Sequence, residues 1–199
     1  MLDAMGVIYR DGDDVRDLLV PYLRAKGCHL DEAGIQELYL ACSLGQISSQ
    51  DLWRSAGVGR LASDEEYCEG HQLNDQVTDL LRKLQARGIH AACLSNDVSE
   101  WSRLLRERFG LESLIPTWVI SADVGIRKPT PEIYQVLLDK LDCAGSAVVL
   151  VDDDVRNLDA AATLGMETIL FTPVRFDECD HARASSMEQL SVMLLGSAS

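Results

Sequence analysis

Apolar residues recur along this chain with two different rhythms, and the change falls near Asn74. In residues 13–26, Val15, Leu18, Leu19, Tyr22 and Leu23 keep the spacing of one helical face, with Asp13 and Asp14 at the start and Gly27 after the end. This predicts an amphipathic helix, bent at Pro21. Ile35, Leu38, Tyr39 and Cys42 predict a second helix over about 31–42. Ser48-Ser49-Gln50-Asp51 has the form of a capping box opening a third, and Ser63-Asp64-Glu65-Glu66 marks another helix start. Residues from about 10 to 72 therefore read as short helices without a strand.

Beyond Asn74, helices and short apolar runs alternate. A helix bearing Val77, Leu80, Leu81 and Leu84 stops at Gly88 and is followed by the run Ile89 to Leu94. Helix 97–109 leads to Trp118-Val119-Ile120, helix 130–141 to the run Ala147 to Val151, and helix 154–164 to the run Thr168 to Phe171. Continuous apolar runs separated by helices imply a parallel sheet covered on both faces, a doubly wound α/β fold in which ligands collect at the carboxyl ends of the strands. Ser95-Asn96-Asp97 and Asp152-Asp153-Asp154 fall at such ends. Asp3 would end a first strand that has only Met1 and Leu2 to form it, which is short for a central strand, so the true start is expected upstream. The division that follows is an α/β core, 1–9 and 73–199, with a helical insert, 10–72. The tail from Pro173 holds an acidic loop and a weakly amphipathic helix around Met187 to Leu195.

Composition narrows the function. With 199 residues, 47% hydrophobic, the chain has material for an ordinary core. A formal net charge of −14 excludes a polyanion partner over most of the surface, so neither a nucleic acid nor an acidic membrane is expected. A phosphate-sized anion needs only local backbone N–H groups and one or two cations. No stretch approaches the length of a membrane span, and the six scattered cysteines form no C-x-x-C pair; a reduced, cytoplasmic protein is the expectation. Cys179 and His181 make a lone C-x-H without a second ligand pair.

Four separated segments carry the candidate chemistry. Asp3-Ala4-Met5-Gly6-Val7 resembles the first motif of the haloacid-dehalogenase-like superfamily, and Leu94-Ser95-Asn96 its second. Gly125-Ile126-Arg127-Lys128-Pro129 with Pro131 to Tyr134 resembles the third, and Val151-Asp152-Asp153 with Asn157, Ala160, Ala161 and Gly165 the fourth. Order and spacing agree over essentially the whole chain. The resemblance implies a hydrolase of the phosphatase-like branch, with Asp3 as nucleophile and a Mg²⁺ ion held by Asp3, the main-chain carbonyl of Met5, Asp152 and Asp153. Met5, Gly6, Ser95, Asn96 and Lys128 would bind the transferring group, and Lys128 would restrain the carboxylates. The insert 10–72 would be the cap that selects a small phosphorylated or otherwise activated metabolite, with Asp11, Gln46, Trp53 and Arg54 as candidate contributors.

Each residue also has a plainer use. Asp153 and Asp154 suit a helix N-terminus, Ser95 an N-cap, and Lys128-Pro129 a surface turn. His29, His71, His90 and His181 match no motif. The departure from the family pattern is Met5, where phosphatases of the superfamily carry a second Asp that moves protons. A thioether cannot do so. General acid–base assistance is worth roughly 10² to 10⁴ in rate, so activated substrates are favoured, and a degenerate protein that binds a phosphorylated ligand or a partner is the alternative. The dehalogenase branch resembles Asp-x-Tyr and lacks the double acid of the fourth motif. The phosphonatase branch needs a cap lysine, for which only Lys26 is at hand, at a helix end.

Overall fold

A computed structural model describes residues 1–173 and 179–196. Most of the acidic loop expected after Pro173 lies outside these described residues. The helical segment begins with one wide turn, Val15–Leu19, that runs directly into α1 (Val20–Ala25). Pro21, which has no N–H to donate, stands just after this wide turn, within the helix that continues from it. Asp31 caps α2 (Glu32–Ser43) by accepting from the Gly34 N–H at 2.9 Å. The expected capping box opens α3 (Ser49–Ser55), with Ser48 and Asp51 bonding reciprocally, and Ser63 caps α4 (Asp64–Glu69).

The alternating part follows with α5 (Val77–Ala86), β1 (Ala92–Ser95), α6 (Ser99–Phe109), β2 (Thr117–Ile120), the short α7 (Ser121–Val124), α8 (Pro131–Leu141), β3 (Val149–Asp152), α9 (Val155–Thr163), β4 (Glu167–Phe171), β5 (Ala182–Ala184) and α10 (Met187–Leu195). β1 pairs with β2, and β3 with β4 and β4 with β5, all parallel. The N-terminal residues close the gap between β1 and β3. Leu2 bridges Cys93 and Val151, Leu2 N–H donates to Ala92 O at 2.8 Å, and Asp3 N–H donates to Val151 O at 2.9 Å. The order across the sheet is β2, β1, the Leu2 segment, β3, β4, β5.

Side chains alternate across these strands into two cores. Cys93, Val151, Ile169 and Phe171 join the core shared with α5, α6, α10 and the helical segment. Ala92, Leu94, Leu150 and Leu170 face α8 and α9 through Ile133, Tyr134, Leu137 and Leu158. Helices thus cover both faces, the doubly wound α/β architecture the apolar runs predict. At the joint with the helical segment, Trp53, Tyr67 and Trp101 pack together, and Asp64 Oδ1 accepts from both indole N–H groups, at 2.9 Å from Trp53 and 2.7 Å from Trp101. Among the described residues no helix is long and apolar enough to cross a membrane.

Candidate active site

The site grows from three chain segments that leave the sheet at the same edge. Asp3 follows the bridged Leu2, Ser95 ends β1 and Asp152 ends β3. After Asp3 the chain turns sharply, with Met5 at φ −70°, ψ 140° and Gly6 at φ 73°, ψ −21°. This is type II turn geometry, whose third residue needs positive φ and so favours glycine. Gly6 is required for space as well, because a Cβ there would lie 2.2 Å from Asp153 Oδ2; at Gly12 it would lie 2.4 Å from the same atom. Asn74, where the helical segment returns to the core, steadies the turn by donating to the carbonyls of Gly6, Val7 and Tyr9 at 3.1, 2.9 and 3.2 Å.

Lys128 joins the acids. Its Nζ lies 2.8 Å from Asp3 Oδ1 and 2.7 Å from Asp152 Oδ2, and it is only 4% exposed. Asp152 is held from its other oxygen as well, Oδ1 accepting from Asn157 Nδ2 and from the Asp154 N–H, both at 2.9 Å. Asp3 Oδ1 also accepts from the Ala4 N–H at 2.6 Å. One oxygen each from Asp3, Asp152 and Asp153 lies within 4.8 Å of the others.

The charge balance of this cluster is uneven. Burial, then Asp152, push the Asp3 carboxyl well above the usual carboxylate range against the pull of Lys128. Burial, then Asp152, likewise raise Asp153 to about 6. Burial works against the Lys128 ammonium, but Asp152 and Asp3 outweigh it and hold the group charged. With all three acids ionised, the state that a bound cation favours, they exceed the one ammonium by two formal negative charges, and hard oxygen donors of that kind suit a divalent cation such as Mg²⁺. The donor set therefore fits the ion that the motifs imply.

A cavity of about 380 Å³ opens on the cluster and is lined by Asp3, Met5, Ser95, Asn96, Lys128 and Asp153 together with residues of the helical segment. Seven of the eight expected site residues thus meet around one space, six lining the cavity and Asp152 buried beneath it; Gly6 lies behind Asp153. Ser95 Oγ is buried and has no hydrogen-bond partner within the protein among the described residues. Asn96 lines the cavity, but its side-chain amide is engaged with the backbone of Lys128. A larger, mainly apolar cavity of about 580 Å³ lies at the opposite ends of the strands, beside Met1, Ala92, Thr117 and Val149, remote from the acids.

The helical segment contributes other residues than those expected. Asp13, Asp14, Val15, Gln36 and Tyr39 line the acid cavity. Trp53 is instead buried against Tyr67 and Trp101, and Arg54 pairs with Asp51 at the surface. Asp11 meets the site through its backbone, its carbonyl accepting from the Gly6 N–H at 3.3 Å, and neither it nor Gln46 is among the described residues that line the cavity. Arg127 and Arg156 complete the rim. Of the histidines, His181 bonds Thr168 and Asp159, His90 bonds Thr117, and His71 is buried between Tyr9 and Tyr67.

This arrangement places a cluster of acids around one lysine at the carboxyl ends of the parallel strands of a doubly wound sheet. Residues 8–165 match the family model described as haloacid dehalogenase-like hydrolase, and the chain belongs to that family. Its curated relatives include the ribulose-1,5-bisphosphate 5-phosphatase of Halopiger xanaduensis, 30% identical over 108 residues that make up 54% of this chain and 45% of that one. They also include the (S)-2-haloacid dehalogenase 4A of Burkholderia cepacia, 29% identical over 47% of this chain and 40% of that one. The matched stretches thus span less than half the length of these relatives. Among solved structures, a haloacid dehalogenase family enzyme from Bacteroides thetaiotaomicron in complex with magnesium and inorganic phosphate shares the fold at a TM-score of 0.74, with 19% identity over 89% of this chain and 95% of that one.

Proposed function

We propose that this protein is a Mg²⁺-dependent phosphoryl-transfer hydrolase that works through an aspartyl-phosphate on Asp3. The observation that carries this reading is the buried ammonium of Lys128, bridging Asp3 and Asp152 beside Asp153, at the floor of a small polar cavity. The dehalogenase pattern lacks the double acid that Asp152 and Asp153 supply here, and a phosphoryl group needs its charge met on several sides at once. Asp3, the main-chain carbonyl of Met5, Asp152 and Asp153 would hold Mg²⁺, which supplies neutralisation of the nucleophile and the substrate's oxygens. Lys128 keeps Asp3 in place and offers its remaining proton to a phosphoryl oxygen. Ser95 Oγ, without a hydrogen-bond partner among the described residues, has the same task.

Residues 10–72 act in this reading as a cap that encloses a small phosphorylated or otherwise activated metabolite. A cavity of about 380 Å³ suits a compact, polar substrate. Met5, buried and unable to carry a proton, favours a second reading, a degenerate protein that binds a phosphorylated ligand without turning it over. Release of p-nitrophenol from p-nitrophenyl phosphate separates the two. Turnover that needs Mg²⁺ and disappears in Asp3→Asn is the expected result. Binding of inorganic phosphate without any turnover would favour the degenerate reading.

A further inference from the structure

Met5 leaves the proposed reaction without a proton carrier at the position the family pattern gives it, and the cavity is lined by a further buried carboxyl group, Asp14. We infer that Asp14 protonates the leaving-group oxygen as Asp3 attacks phosphorus, and afterwards accepts a proton from the water that splits phospho-Asp3. The inference rests on the phosphoryl-transfer reading above.

Asp14 reaches the cavity because the loop after the first turn folds back on it. The Gly6 N–H donates to Asp11 O at 3.3 Å, and Gly12 lies against the Asp153 carboxylate. Two residues later, Asp14 lines the cavity that also contains Asp3 and Met5, and is 4% exposed. The other carboxyl and phenol groups on these walls, Asp3 of the acid cluster aside, are engaged elsewhere. Asp13 Oδ1 accepts from the Arg16 N–H at 3.1 Å, Asp154 is clasped by Arg156, and the Tyr39 hydroxyl donates to Asn96 O at 2.9 Å. Asp153 belongs to the acid cluster. Among the described residues Asp14 is paired with no cation; its side-chain partner there is the Tyr67 hydroxyl, at 3.5 Å.

The groups that face Asp14 are Asp13 beside it, Asp97 after β1, Tyr39 of α2, Tyr67 of α4 and Arg127 before α8. Burial, then Asp97, push its carboxyl up to about 8, against the pull of Arg127. It therefore carries its proton at neutral pH, as a donor must. In the first step the Asp3–phosphorus bond forms, the bond from phosphorus to the leaving oxygen breaks, and the Asp14 proton passes to that oxygen to give a neutral alcohol. In the second, water attacks phosphorus, its proton returns to Asp14, and phosphate leaves with Asp3 restored. No other reactant is needed.

The test uses an alkyl phosphate, which requires leaving-group protonation, beside p-nitrophenyl phosphate, which scarcely does. In Asp14→Asn the ratio of kcat/KM for the alkyl over the aryl substrate should fall by about 10² or more. The alkaline limb of the parent's alkyl profile, near pH 8, should vanish with it. Met5→Asp in the Asp14→Asn background should restore the ratio. An active parent whose ratio is unaltered in Asp14→Asn, or one whose alkyl profile has no alkaline limb beyond that of the aryl profile, would overturn the assignment alone. The parent's limb is decisive even where the variant does not fold. A parent silent on both substrates with Mg²⁺ present would overturn the phosphoryl-transfer reading and this assignment together.

Discussion

The side-chain amide of Asn96 grips both backbone groups of Lys128, its Oδ1 accepting from the Lys128 N–H at 2.8 Å and its Nδ2 donating to the Lys128 carbonyl at 3.0 Å. The loop after β1 thereby sets the position of the lysine that bridges Asp3 and Asp152. Asn96 is a positioning residue in this account, since it acts on the site through Lys128.

Removing that grip should cost more in turnover than in stability. Asn96→Ala loses two hydrogen bonds, worth about 1–3 kcal/mol together. Thermal unfolding should report a loss of that size, while kcat falls further than KM rises, because Lys128 is no longer held where the acids need it. Equal, small effects on both constants would contradict a positioning role.

Mg²⁺ should stabilise the fold. A cation that binds only the native acids adds about 2.7 kcal/mol at a hundred times its dissociation constant, so Tm should climb with Mg²⁺ concentration. Asp152→Asn removes one donor and should flatten the climb. A parent Tm that ignores Mg²⁺ would count against Asp3, Asp152 and Asp153 as its ligands.

Stability should fall from pH 5 to pH 8. Burial raises Asp97 from 3.8 to about 7 and Asp14 to about 8, so both stay protonated in the fold where the unfolded chain ionises. The stability they confer is complete below about pH 4 and is lost as pH rises through their folded values. His71, pulled by burial from 6.5 to about 4, acts the other way and loses its contribution as pH falls below 6.5. Two acids outweigh one histidine over this interval. Urea midpoints at pH 5 and pH 8 should show the decline, and Asp97→Asn should reduce it by at most about 1.4 kcal/mol per pH unit.

Asp64 ties the helical segment to the α/β core. Its carboxylate accepts from Trp53, Trp101 and, at 2.8 Å, from the Ser49 hydroxyl. Asp64→Ala strands these donors and should cost about 3–5 kcal/mol in urea unfolding, with a shift in tryptophan emission. A loss below about 1 kcal/mol would mean that the aromatic packing holds the joint unaided.

What the sequence made legible follows from periodicity and from acids at strand ends. The runs that end at Ser95 and Asp152 are continuous and apolar, so the sheet and the polar residues beyond it could be placed together. The apolar run before Ser95 starts too early, however, since Ile89 is exposed and pairing begins only at Ala92. β5 was invisible: three residues with Arg183 at their centre carry no strand pattern. Asp14 was hidden for another reason. An acid just ahead of a helix reads as a favourable terminal charge, and only the folded chain brings it into the lining of the cavity that holds Asp3 and Met5. Trp53 failed as a cavity residue because its indole is buried with Trp101 and bonded to Asp64. Asn74 carried no signal at all, since its three carbonyl partners are set by a turn 65–68 residues away.

The central claim is that phosphorus passes through Asp3. Acid-quenching the protein during turnover of p-nitrophenyl phosphate with Mg²⁺, followed by peptide mass mapping, tests it directly. The account predicts one phosphoryl adduct, on the peptide that contains Asp3, absent without Mg²⁺ and absent in Asp3→Asn. Sustained turnover by Asp3→Asn with no adduct on that peptide would contradict it.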